Sequence, residues 1–407
     1  MDAETAVDTP TTGCPRHYPF HRPSATELPP VYAELREQDP VAQVVLPSGD
    51  LGYIVSRYDD AKLVLADPRF SRAAMVAEGA PKLTAAPMPP NSLFSTDPPE
   101  HSRLRKLVMG EFTARRVRDL EPRIQELTDA LLDEMAKADD QRTDLNAALA
   151  FPLPVQVICE LLGVPFADRE KFRQWSNAIV ALTTLTAEEM VRQRMEMAGY
   201  IHELITRRRE EPGDDLLSAL ISAHDERDAL DHAELIVMAM TILVAGHETT
   251  VSMIGACVLT LLRSPEHLAR VLENPDAVGD FVPELLRVNP IGDGGPMRIT
   301  LTDVEIAGTV IPKGSAVLAA VCSANRDPEV FERGEEFYPD RAQNPHLAFG
   351  FGIHHCLGAA LAIAELRITI SSLFRRFPTL RLDTDVANLR MKQGMLVHGL
   401  ESLPVAW

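Results

Sequence analysis

The sequence predicts a mainly α protein with small β-sheets, and three observations carry that expectation. Apolar residues recur at helical spacing through most of residues 59–275. Within that region AELIVMAMTILVAGHETTVSMIGACVLTLL is apolar nearly all round, the pattern of a helix buried at the centre of a fold. Two flanking regions, VAQVVL-PSGDLG-YIVS and ITLTDVEIAGTVIPKGSAVLAAV, read as short strands joined by Gly and Pro turns.

Residues 1–16, MDAETAVDTPTTGCPR, have neither a basic nor an apolar leader region and read as a flexible tail. VAQVVL and YIVS form a hairpin. Residues 72–91 are rich in Ala, Pro and Met and too long for an ordinary connection; they form either a lid over a binding site or a plain surface loop. DLEPRIQELTDALLDEMAKA and EEMVRQRMEMAGYIHELITRRREEPGDDLLSALISA carry apolar residues at i, i+3, i+4, i+7. In PELLRVNP, Pro283 lacks the N–H that a helix interior needs, so that helix should start near Asp280 or kink. No linker, repeat or low-complexity tract interrupts the 407 residues. Residues 17–407 are therefore expected to form one domain, although length alone suggests two or three.

Forty basic residues against 59 acidic ones give a formal charge of −19. Such a surface argues against nucleic-acid and anionic-membrane partners. The five cysteines contain no C-x-x-C pair, so neither a disulfide framework nor a zinc module is expected, and a reducing cytoplasm fits. The longest apolar run, residues 235–246, is broken by Thr241. It falls short of the roughly 20 residues a bilayer span needs, so no membrane anchor is expected.

FGFGIHHCLG, residues 349–358, precedes the Ala-rich run AALAIAELRI, which reads as a helix. Cys356 then lies at a helix N-terminus, where amide N–H groups and the dipole favour a thiolate. A lone cysteine is otherwise inert. A zinc site of His354, His355 and Cys356 is a second reading, but three adjacent residues converge poorly on a tetrahedral ion. A dinucleotide loop is a third, but Gly350, Gly352 and Gly358 lack the G-x-G-x-x-G spacing. The stretch resembles the cytochrome P-450 signature F-G-x-G-x-H-x-C-x-G at every fixed position. The resemblance implies that family's fold, a triangular and mainly helical prism with a long central helix over the haem. It implies haem b with Cys356 as the metal ligand, Phe349 shielding the sulfur, Gly350 beside it, and His354 facing a haem propionate.

Three further motifs follow the family's order. His101 and Arg105 in DPPEHSRLRKLV share one helix face, which alone reads as a solvated basic face. By resemblance they bind propionates, joined by Arg298 in GGPMRIT. Arg103, Lys106, Arg115 and Arg116 would then face an acidic redox partner. AGHETT places polar residues inside the apolar central helix, costly unless they are used. By resemblance Ala245 and Gly246 border the haem, Gly246 leaves room for dioxygen, and Glu248 with Thr249 forms the proton-delivering acid–alcohol pair. Thr249, directly after the acid, is favoured over Thr250. Glu284 and Arg287 at i, i+3 would alone be a surface pair worth about 0.2–0.5 kcal/mol. They resemble the family's E-x-x-R pair, closed by Arg341 into a buried structural network.

The resemblance covers nearly the whole chain and implies a monooxygenase that inserts one atom of dioxygen into its substrate. No flavin or cysteine-cluster module is visible, so electrons would come from a ferredoxin and its reductase. The two ends of the chain look like those of actinomycete members that tailor macrolides and other polyketides. Pocket candidates by family position are Phe94, Met238, Ile242, Ala245, Ile291, Met297 and Met395, with core packing as the alternative for each. The run IGDGGPM would leave space for a bulky substrate. A peroxygenase or decarboxylase on the same fold, and a haem-binding sensor, remain as rival readings.

Overall fold

The computed structural model describes residues 15–226 and 229–407. Residues 1–14 of the expected tail lie outside the described residues. Arg16, placed in that tail by sequence, already pairs in a strand.

Helices dominate the described residues. α1 (Val31–Gln38), α2 (Tyr58–Ala66), α3 (Glu100–Val108) and α4 (Ala114–Met135) come first. α5 (Pro152–Leu162), α6 (Arg169–Ile179), α7 (Ala187–Glu210) and α8 (Leu216–Asp225) lead to the central helix α9 (His232–Leu262). α10 (Pro265–Glu273), α11 (Val278–Val288), α12 (Val321–Ala324) and α13 (Ala359–Arg376) follow. Local chemistry marks the boundaries. Asp231 and Glu234 form a capping box that starts α9. Gly163, left-handed at φ 71°, ends α5. The pattern read as one helical stretch over residues 188–223 is split between α7 and α8, because Pro212 and Gly213 break it and Asp215 caps the new helix.

The main sheet has six strands in the order β1-β2-β3-β9-β6-β4. These are β1 (Arg16–His17), β2 (Val41–Val45), β3 (Leu51–Val55), β4 (Phe70–Ser71), β6 (Met297–Thr300) and β9 (Ala316–Ala319). The expected hairpin is β2–β3, antiparallel, with Val41 opposite Val55. β7 (Val304–Ile306) and β8 (Thr309–Ile311) form a hairpin of their own. β5 (Arg142–Asp144), β10 (Arg381–Leu382) and β11 (Pro404–Ala406) form a third sheet.

One apolar cluster runs through α3–α11, α13 and β11, and α9 lies at its centre. α9 is long and apolar enough to cross a bilayer, but 78% of its most apolar window is buried inside the protein. The apolar run read from sequence stopped at Gly246; the helix continues through the polar AGHETT patch. α11 starts at Val278, two residues before the expected start. Pro283 therefore sits beyond the first turn and leaves the Gly279 carbonyl without its helical donor.

Candidate active site

The cysteine loop is built by close backbone packing. Gly350 and Gly352 have φ of +71° and +73°, a region L side chains rarely adopt. A Cβ on Gly352 would also lie 3.1 Å from the Ala66 Cα and the Leu65 carbonyl oxygen, so the loop rests directly on α2. The Cys356 amide donates to the Phe349 carbonyl at 2.9 Å and closes the loop. The Phe349 ring neighbours His346 and His355 at 6.1 and 6.2 Å. Cys356 is accessible from a recess, just before the Gly358 cap of α13. Burial pushes its thiol up; the Gly358 amide and the Arg105 charge pull the other way without prevailing. The helix terminus alone therefore does not ionise this sulfur, contrary to the sequence argument. A bound metal cation would.

Cationic side chains converge beside this loop from four elements. α3 presents His101, buried, and Arg105, whose Nη2 donates to the His355 carbonyl at 2.8 Å. β6 contributes Arg298 and the chain after β4 contributes Arg72, both buried. The loop contributes His354, whose ring lies 4.1 Å from that of His101. Arg298 donates Nη1 to the Met297 carbonyl at 2.9 Å, but its Nη2 has no partner. Neither does Arg72 Nε or either ring nitrogen of His354. Burial brings His101 and His354 down to about 4, with the neighbouring arginines adding and Asp97 opposing. Burial also lowers Arg298 to about 10.

Asp97 offsets part of the cluster's charge. Burial favours its acid form, yet the His354 ring, the Ser71 hydroxyl and the Arg72 and Ala73 amides hold it well below the usual range. His354 Nε2 stands 3.8 Å from Asp97 Oδ1, too far for a hydrogen bond. Arg72 and Asp97 are the functional candidates sequence reasoning missed. Arg72 marked only the edge of an irregular loop, and nothing in its spacing links it to Arg298.

On α9, Ala245 is exposed between buried neighbours, Val244 on one side and His247 and Glu248 on the other. The Thr249 hydroxyl donates to the Ala245 carbonyl at 3.1 Å, one turn back. Glu248 is 5% exposed. His247 Nδ1 donates to the Leu243 carbonyl at 2.6 Å, and its Nε2 lies 3.3 Å from Glu248 Oε1. Burial raises the Glu248 carboxyl, but the contact with His247 and the charges of Lys392 and Arg173 outweigh it and leave it lowered. Gly246 does not leave room for dioxygen. A Cβ there would lie 2.5 Å from Ile158 Cδ1, so α5 occupies that space. Ala245 is the residue that faces open volume.

Glu284, Arg287 and Arg341 form a closed network. Arg287 Nε and Nη2 meet the two Glu284 oxygens at 2.8 and 2.6 Å. Its other hydrogens go to the carbonyls of Asn325, Gly334 and Glu336 at 2.6, 2.6 and 2.7 Å. All five guanidinium donors are thus used. Arg341 reaches both Glu284 oxygens at 3.3 Å. Nothing in this network is left over for chemistry.

The cytochrome P450 profile matches residues 39–401. The chain belongs to the cytochrome P450 family. It is 46% identical over 394 residues to nocardicin C N-oxygenase of Nocardia uniformis subsp. tsuyamanensis, covering 96% of this chain and 98% of that one. It is 43% identical over 398 residues to mycinamicin IV hydroxylase/epoxidase of Micromonospora griseorubida, covering 98% and 100%. The solved LnmA cytochrome P450 hydroxylase of the leinamycin pathway, from Streptomyces atroolivaceus, superposes with a TM-score of 0.86 at 43% identity, covering 96% and 100%. This P450 is accordingly a haem-thiolate monooxygenase that uses dioxygen and takes electrons from redox partner proteins.

The residues present fit a haem. Two arginines and His354 crowd beside the buried His101 with nitrogens that no protein group meets, and the dianionic edge of a porphyrin would satisfy them. An accessible sulfur lies two residues from His354.

The pocket candidates divide. Met238 and Ile242 are packed in the main core, the alternative weighed for them. Phe94 is 42% exposed, with the Arg72 guanidinium 5.7 Å from its ring centre. Ile291 is partly buried, while Met297, which opens β6, and Met395, in the loop of residues 391–400, sit at the edge of the core at 8% and 9% exposure. The IGDGGPM run is not built for space. A Cβ on Gly292 would lie 2.8 Å from the Leu396 carbonyl oxygen, and one on Gly295 would lie 2.1 Å from that of Ala319. The glycines allow close backbone contact. Arg103 is also not offered to a partner: it binds Glu234 and the Ala229 carbonyl. Arg116 pairs with Glu111 at 3.0 Å.

Proposed function

We propose that this P450 hydroxylates or epoxidises a bulky, apolar small molecule, a macrolide or other polyketide intermediate of secondary-metabolite biosynthesis. The names of its nocardicin C, mycinamicin IV and leinamycin-pathway relatives support this reading. We further propose one catalytic domain over residues 17–407, in the cytoplasm, with haem b and no flavin. The observation that carries the assignment is the unpartnered cationic cleft beside an accessible cysteine.

Cys356 would hold the haem iron, with Phe349 and Gly350 around its sulfur. His101, Arg105, Arg298, His354 and Arg72 would hold the propionates. The bound haem-thiolate centre supplies dioxygen activation and the oxidation of substrate. Ala245, the exposed residue of the AGHETT stretch of α9, would border the reaction space. Glu248, a buried carboxylate held below its ordinary range, would pass protons onward, and Thr249 Oγ1, next in sequence, would relay them. Ile291, Met297, Met395 and Phe94 would wall the substrate. Lys62 lies over the ring of the exposed Phe351, and Ile353 is exposed two residues on, a mixed patch suited to an acidic ferredoxin.

Two tests separate chemistry from substrate. Thr249→Ala is expected to uncouple electron uptake from product and release peroxide, measured as the ratio of NADH consumed to product formed. An unchanged ratio removes Thr249 from proton delivery. A panel of macrolides and polyketide intermediates is expected to contain compounds that shift the haem spin state. A panel in which only small or planar compounds do so contradicts the substrate class.

A further inference from the structure

The loops around residues 290–297 and 391–400 meet at a single guanidinium. Arg22 Nη2 lies 2.8 Å from Asp293 Oδ1 and 3.3 Å from His398 Nδ1. Burial lowers the His398 imidazole, with Asp293 opposing, so the ring is neutral near pH 7 and can accept at Nδ1. Asp293 Oδ1 and His398 Nδ1 stand 3.4 Å apart, and both face the same donor nitrogen. One Nη2 group, with its two hydrogens, therefore bridges a carboxylate on the first loop and an imidazole on the second.

Each loop is also tied into the fold. The Tyr32 hydroxyl donates to the Asp293 carbonyl at 2.8 Å. The His398 amide donates to the Ile291 carbonyl at 2.8 Å, joining the loops directly. The Leu396 amide donates to Val180 at the end of α6. Gly292 and Gly295 allow the first loop to lie against the carbonyls of Leu396 and Ala319. Asp293 is 4% exposed, and a carboxylate so placed persists only when paired.

We propose that Arg22 is a positioning residue for substrate specificity, whose bridge between Asp293 and His398 sets the spacing of two loops, one that carries Ile291 and leads into Met297 of β6 and one that carries Met395. The inference rests on the reading of those three residues as substrate walls. Arg22 itself touches no substrate.

The test uses the haem-loaded full chain and two nitrogen ligands read by absorbance: imidazole, too small to meet the walls, and clotrimazole, which fills the space above the haem. Variants are Arg22→Ala, Arg22→Lys, which keeps a donor to both acceptors, and Asp293→Asn. Ile291→Ala and Met395→Ala are wall controls. In Arg22→Ala the clotrimazole Kd is expected to change by about tenfold, roughly 1.4 kcal/mol, with imidazole within about twofold. Arg22→Lys should return it towards the parent value. Thermal melting identifies variants that fail to fold, and the part-exposed Arg22 site makes its variants the primary ones. Unchanged clotrimazole binding in folded Arg22→Ala and Asp293→Asn overturns the proposal while the wall controls respond. Silence of the wall controls too overturns the pocket reading beneath it. Parallel changes for both ligands also overturn it, since the bridge would then support the haem and not the pocket.

Discussion

His101 and His354 lie with their rings 4.1 Å apart among arginines, and burial holds both near 4, below the usual 6.5. Between those values the unfolded chain binds more protons than the folded haem-free protein. Its stability should therefore fall as pH drops from about 6.5 towards 4. Propionates bound to the rings would raise both values and remove most of that loss. Melting temperatures of haem-free and haem-loaded protein across this range are expected to diverge as pH falls. Parallel curves would mean that neither ring faces the propionates. At this scale His101, Arg105, Arg298 and His354 were singled out by the family resemblance, since spacing alone read the first two as a solvated basic face. Arg72 was illegible because it approaches Arg298 only through the pairing of β4 with β6.

Elements meet where a missing side chain lets them. Gly246 allows Ile158 of α5 against α9. Alanine normally gains about 1 kcal/mol over glycine inside a helix. Here overpacking should cost about 1–3 kcal/mol and win. Gly246→Ala is expected to lower the melting temperature, and Ile158→Ala in the same chain should recover part of it. A rise in Gly246→Ala alone would show that α5 yields. The glycines of residues 292–295 obey the same rule. Sequence shows that a glycine is present but not which element approaches it, so Gly246 and the IGDGGPM run were both read as open space. Helix identity was easier, since amphipathic spacing is local. The start of α11 lies two residues before Asp280 because its first turn follows the 3₁₀ turn Pro275–Ala277, while Pro283 drew the expected boundary inwards.

At the scale of the molecule, an apolar helix and a saturated ion network organise the fold. α9 crosses the core, and its run of four consecutive polar residues, 247–250, follows Ala245, which meets open volume. The Glu284–Arg287–Arg341 network binds α11 to residues 325–344 and uses every Arg287 donor. Breaking such a pair leaves a buried charge and costs about 3–5 kcal/mol. The i, i+3 spacing alone gave no hint of that depth; only the order of motifs did. The mainly α class was legible because the central helix is apolar on all sides, a pattern that survives without any long-range contact. That same pattern met the length and composition of a bilayer span, and only burial in the fold accounts for it here.

The central claim is that Cys356 holds the iron as a thiolate although the protein alone favours the thiol. The absorption spectrum of the reduced, CO-bound protein tests it most directly. The account predicts the strongly red-shifted thiolate band in the parent chain and its loss in Cys356→Ala. A parent spectrum without the red shift, or a red-shifted band that survives Cys356→Ala, would contradict it.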